Sequence, residues 1–291
     1  MRLVWIAVTV LLASQCAAYA QQAPMPAGQL VRQVVYNELN DHQGHGYWRY
    51  WIERHTPRET RLEDQVETAD GPVTRLALTN GHAPTAESRQ AEQARLQHLL
   101  TSPAEQAHHR QEYADDEARI GRVLALLPDA FIYQYDGMEN GCWRLQFHPD
   151  PNFPAHSIEA RVFHAMSGTL WVDARMKRLA RLDAHTIDNV DFGFGILGRL
   201  NKGGWFQLVR TQVSPTDWKT AKLEMHMFGR ALLVKSFARE TSEARGGFLP
   251  VPPAMNLADG MKLLDQSAAI AAPPRPQSRG NLAQAALVLR P

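Results

Sequence analysis

Cysteine is nearly absent from this sequence. Cys16 and Cys142 are the two in 291 residues, and Cys16 falls in an amino-terminal leader. The mature chain would keep one, so no intrachain disulfide is available and stability has to come from burial of apolar surface. An excess of one charge is missing as well, with 31 Lys plus Arg against 30 Asp plus Glu. That balance argues against nucleic acid or an anionic membrane surface as the main partner. Past the leader, no apolar run reaches the roughly 18 to 20 residues a membrane helix needs. Motifs of nucleophilic and zinc chemistry are also lacking: there is no G-x-S-x-G, S-x-x-K or H-E-x-x-H, and no Cys/His set. These absences leave no catalytic residue, no metal site and no cofactor to nominate, and the chain reads as a non-enzymatic binding protein.

The leader has the features of an export signal. Arg2 supplies the positive region, residues 3–13 the apolar core, and Ala18-Tyr19-Ala20 the small-residue cleavage site, which makes 1–20 a signal peptide. The expected location is therefore exported and periplasmic. Gln15 stands directly before Cys16, where lipid modification favours a small residue, so a lipid-anchored form through Cys16 is disfavoured. Residues 21–28 form a spacer, 29–265 a single β-rich domain, and 266–291 an Ala/Pro-rich tail with too little apolar content to fold.

Within the domain, Leu30, Val34, Val35 and Leu39 recur at helical spacing. Residues 47–54 then alternate, with Trp48, Tyr50 and Ile52 on one face. Strands at 59–68 and 73–79 continue the meander. Composition turns to Glu, Gln, Ala, Arg and His across 85–127, a helical insertion expected to cover the sheet and to stop at Pro128. Strands return at 130–135 and 142–148. About five more follow between 167 and 242, where Leu170 and Val172, then Phe192 and Phe194, then Leu223, Met225 and Met227 each take alternate positions. The predicted class is α+β, a large curved antiparallel sheet with one dry and one wet face, covered by helices.

An exported amphipathic helix, an antiparallel meander, and the hairpin run Gly168-Thr169-Leu170-Trp171-Val172-Asp173 before a basic turn come together here. With the segment 176–182 and the turn Lys202-Gly203-Gly204, they resemble the periplasmic lipoprotein-localisation superfamily of LolA, LolB and RseB-like proteins. The match is densest over 168–213. The resemblance implies a half-open β-barrel lidded by helices, with an apolar interior that holds acyl chains.

An acyl ligand needs a dry, side-chain-lined concavity, since each buried methylene contributes about 0.8 kcal/mol. Trp48, Tyr50, Leu170, Val172, Phe192, Phe194, Phe206, Leu208, Met225 and Met227 are the candidate lining, with methionines adapting to different chains. The alternation of these residues fits a closed, filled core equally well, and then the chain would be an envelope interaction or sensor protein with a protein partner. The resemblance favours a cavity and a lipid or other apolar ligand. Gly193-Phe194-Gly195-Ile196-Leu197-Gly198 matches G-x-G-x-x-G, but strand alternation runs through it and no helix opens inside it, so it is not read as a nucleotide site. Twelve histidines fall mainly in loops or on polar helix faces and read by default as solvated or capping residues; a zinc site assembled from distant loops, and with it an exported metal-dependent hydrolase, is the least favoured alternative.

Overall fold

A computed structural model describes residues 25–40, 46–192, 198–231 and 235–266. The predicted signal peptide at 1–20 with Cys16, Phe194 and the rest of 193–197, and the tail from 267 lie outside the described residues. Helix α1 (Ala27–Leu39) precedes a meander of β1 (Tyr47–His55), β2 (Thr60–Val66) and β3 (Val73–Thr79). The insertion is a helical pair, α2 (Ala86–Thr101) and α3 (Pro103–Ala130). Next come β4 (Phe131–Glu139), β5 (Cys142–Pro149), α4 (Ile158–Phe163), β6 (Met166–Asp173) and β7 (Leu179–Thr186). After them, β8 (Val190–Phe192), β9 (Gly198–Leu200), β10 (Trp205–Gln212), β11 (Trp218–Ala231), β12 (Lys235–Val251) and α5 (Leu257–Gln266) complete the described chain.

The fold is α+β. All twelve strands join one antiparallel sheet in the order β3-β2-β1-β12-β11-β10-β7-β6-β5-β4, and the short β8-β9 hairpin hangs on β11. Strands β3 and β4 are its two ends, so the sheet is open and not closed into a barrel.

Local chemistry explains the helix starts. Thr85 accepts a hydrogen bond from the Ser88 amide and Ser102 one from the Glu105 amide, satisfying backbone donors that α2 and α3 leave open. Pro103 suits the first position of α3, where no amide hydrogen is needed. Helix α3 passes the expected stop at Pro128 and runs to Ala130. So near the end, the ring forfeits one backbone hydrogen bond and interrupts nothing further along.

Strand β12 is the larger departure from the sequence reading, which ends the last strand at 241. It continues to Val251 and pairs with β1, tying the amino-terminal meander to the carboxy-terminal strands. The glycine pair at 246 and 247 looks like a break but is a packing site. A β-carbon at Gly246 would lie 2.6 Å from the Trp51 ring, and the register shifts there between Arg49 and Trp51.

Side chains directly opposite across an antiparallel pair share a face, so the register assigns each residue to one side of the sheet. One face carries Phe131, Leu145, Phe147, Leu170, Val172 and Ala184 of β4–β7, packed against Leu30, Val31, Val34 and Val35 of α1 and Phe163 of α4. Trp48, Tyr50 and Ile52 of β1 lie on that same face in a small cluster with Val213 and Phe248. We call it the inner face. At the β3 end the opposite, outer face is covered: Val66 and Val73 pack with Leu96 and Leu99 of α2 and Met261 and Leu264 of α5. The helices thus cover opposite faces at opposite ends, and the middle of the sheet lies between them. No described helix is long and apolar enough to cross a membrane.

Candidate functional site

The inner face of the middle strands carries an apolar strip. Phe206 stands opposite Met225 and Leu208 opposite Leu223, with Met227 next along β11. Leu208, Leu223, Met225 and Met227 are half-buried and belong to none of the three packed clusters among the described residues; Phe206 touches the edge of the α1 cluster. On the β7 side the strip continues into Leu182 and Ala184, opposite Leu208 and Phe206, and so into the main core.

On its other side the character reverses within one strand spacing. Leu223 is opposite Glu243, Met225 opposite Thr241 and Met227 opposite Arg239. Beyond them Glu243 is opposite Arg54, and Arg54 opposite Arg61. An ion-pair chain crosses these three strands. Arg61 forms an ion pair with Glu63 at 3.4 Å, Arg54 bonds both Glu63 and, at 2.9 Å, Glu243, and Arg245 donates to Glu243 at 2.5 Å. Both glutamates are buried and each is met by two arginines, which is what a buried carboxylate requires. At the far end of the strip Glu38 of α1 pairs with Arg210 and, at 3.6 Å, with Arg178, fixing the helix over the sheet.

Phe194 lies outside the described residues, and the other nine predicted residues fall into separate environments. Leu170 and Val172 are core under α1, exposed by 7% and 0%. Trp48 and Tyr50 are buried in the β1 cluster, with Tyr50 5.1 Å from the Phe248 ring and accepting a hydrogen bond from the Gln65 amide. Burial, reinforced by the nearby Glu67 carboxylate, pushes the Tyr50 phenol far above its usual range, so it stays protonated. Phe192, on β8, lies under the Arg161 guanidinium at 5.8 Å. Phe206, Leu208, Met225 and Met227 come together in the strip. Leu223, their neighbour, is an omission from the predicted set although it shares their alternation. The charged chain was also missed, and its signal is present: Arg239, Thr241, Glu243 and Arg245 occupy every second position of β12.

Two clefts lie away from these residues. One of about 490 Å³ sits between β3, α2 and α5, floored by Leu76, Leu96, Leu100 and Met261 and rimmed by Arg75, Glu92 and Asp265. The other, about 320 Å³, is an outer-face hollow between Gln134, Gln146, His148, Thr169 and His185. Among the described residues no three His, Cys, Asp or Glu side chains converge to hold a metal ion. Burial together with Asp173 and Glu139 raises the Cys142 thiol, which keeps it protonated and poorly nucleophilic.

No protein-family model matches the chain, and no curated protein matches it. Among solved structures it is similar to a DUF1329 family protein from Desulfovibrio piger ATCC 29098, with 8% sequence identity, a TM-score of 0.27, and coverage of 82% of this chain and 100% of that one. At that TM-score the likeness carries no weight for fold or function.

Proposed function

We propose that this is an exported, non-enzymatic binding protein that holds an acyl chain or another apolar ligand against the inner face of β10 and β11. One observation carries the reading: Phe206, Leu208, Leu223, Met225 and Met227 form a contiguous strip on adjacent strands, yet four of the five are left out of every packed cluster. Apolar side chains that alternate into the interior and remain half-wet offer transfer free energy to a ligand, about 0.8 kcal/mol for each methylene covered. Unbranched methionines accept chains of different shape. Lipoprotein or lipid handling in the envelope is the finer form of this proposal, and it draws on the sequence resemblance over 168–213.

Native mass spectrometry with solvent extraction, on protein recovered from the periplasm of an expression host, tests the proposal. The expected result is an adduct that extracts as fatty acid or phospholipid and is lost in Met225→Glu while the melting temperature stays near wild type. A bare polypeptide mass that does not change when the protein is offered dodecanoate would contradict it.

A further inference from the structure

The inner face is amphiphilic with a sharp boundary, and we infer from it that the bound ligand carries an anionic head. This inference rests on the acyl-chain reading and adds the head's charge to it. On β10 and β11 the inner positions Phe206, Leu208, Leu223, Met225 and Met227 bear no charge. Next to them, over 239–245 of β12 and at the neighbouring ends of β1 and β2, the charged inner residues are Arg239, Arg245, Arg54 and Arg61 against Glu243 and Glu63, four cations and two anions, an excess of two; the apolar Trp48, Tyr50 and Ile52 lie further along β1.

The carboxylates do not exhaust the donors. Each guanidinium has five N–H groups. Arg61 gives Glu63 a single contact, Arg245 meets one oxygen of Glu243, and Arg54 spans the two glutamates. The Arg61 side chain is still 43% exposed and that of Arg54 37%. Arg239 is exposed, stands opposite Met227, and makes no ion pair among the described residues. Directly opposite side chains are about 5 Å apart at Cβ. A chain lying along Leu223, Met225 and Met227 therefore brings its terminal group within reach of these guanidiniums. A carboxylate or phosphate would be met by charge-assisted hydrogen bonds, an ammonium would be repelled, and a hydroxyl would gain one ordinary hydrogen bond.

Isothermal titration of the full chain with dodecanoate, 1-dodecanol and dodecyltrimethylammonium keeps the tail constant and varies the head. Dodecanoate is expected to bind about tenfold more tightly than dodecanol, equivalent to about 1.4 kcal/mol, with the ammonium weakest and the gap narrowing at high salt. Replacing the two most exposed arginines, Arg61→Gln with Arg239→Gln, should bring dodecanoate down to the affinity of dodecanol and leave dodecanol unchanged. Equal binding of dodecanol and dodecanoate by the wild type, or a preference that survives in the double variant, would overturn the anionic head and leave the acyl-chain reading standing. Failure of all three to bind would refute that underlying reading as well.

Discussion

Strands β6 and β7 and strands β10 and β11 are built alike and end differently. Both pairs alternate apolar and polar residues, both lie in the same sheet, and both turn their apolar set to the inner face. Yet Leu170 and Val172 are core, whereas Leu208, Leu223, Met225 and Met227 are half-wet. Helix α1 makes the difference. Its apolar stripe of Leu30, Val31, Val34 and Val35 lies over the first pair, and its end is held by Glu38 through Arg178 and Arg210. The strand pattern fixes which way a side chain points, and the element packed above it decides whether that side chain is core or surface.

Removing a side chain on either side of this boundary should separate the two regions most clearly. Leu145→Ala, at a fully buried position under α1, is expected to cost about 2 to 5 kcal/mol in chemical denaturation. Leu223→Ala in the strip should cost about 1 kcal/mol or less and weaken acyl binding instead. Equal losses of stability would show that the strip is packed core.

The next largest effect belongs to Gly168, in the same hairpin as the core residues. A β-carbon there would sit 2.0 Å from the Asp183 carbonyl oxygen, so Gly168→Ala forces the β6-β7 pair apart. About 1 to 3 kcal/mol of destabilisation is expected in the same assay. Smaller again is the cap of the long insertion helix, where Ser102→Ala should lower stability by about 1 kcal/mol. That variant should leave ligand binding alone, because the amino-terminal part of α3 packs at the β2–β3 turn, where Arg110 meets Asp70 at 3.4 Å, and not on β10 or β11.

A pH effect falls at the opposite end of the sheet. The open edge of β3 is closed by α2: Glu92 accepts from the Leu76 amide at 3.3 Å, Arg95 donates to the Thr74 carbonyl at 2.9 Å, and the two side chains pair at 2.9 Å. Such caps keep an edge from pairing with another chain. The hydrogen bond from Arg95 holds the Glu92 carboxyl below its usual range, against the opposing effect of burial. Because the folded value is depressed, this contribution is present at neutral pH and is lost as pH falls through the carboxylate range. Thermal melts of wild type and Glu92→Gln should therefore differ at neutral pH and converge in acid. A gap that persists unchanged in acid would rule out the carboxylate as its source.

Much of the architecture was legible from periodicity. Alternation at 47–54 and 167–186 marked strands and their buried faces, and the change in composition at 85–127 marked the helical pair. Strand β12 runs past 241, where the sequence reading ends the last strand, through Gly246 and Gly247, which are the space Trp51 needs. The site was legible only in part, for the reason Leu170 and Met225 illustrate: their sequence contexts are equivalent, and the helix above one of them is a tertiary fact. Glu63, Arg54 and Glu243 come from three strands far apart in the chain, and no local spacing joins them before the register is known.

Methyl NMR of protein labelled at the methionine methyl groups, recorded with and without dodecanoate, reports whether a ligand lies on the β10–β11 strip. Met225 and Met227 lie in the strip, whereas Met255 and Met261 are buried beside α5 at 8% and 3% exposure. Saturable shifts at Met225 and Met227, with Met255 and Met261 unmoved, are the predicted result. Unchanged signals from Met225 and Met227, or shifts confined to Met255 and Met261, would contradict the account.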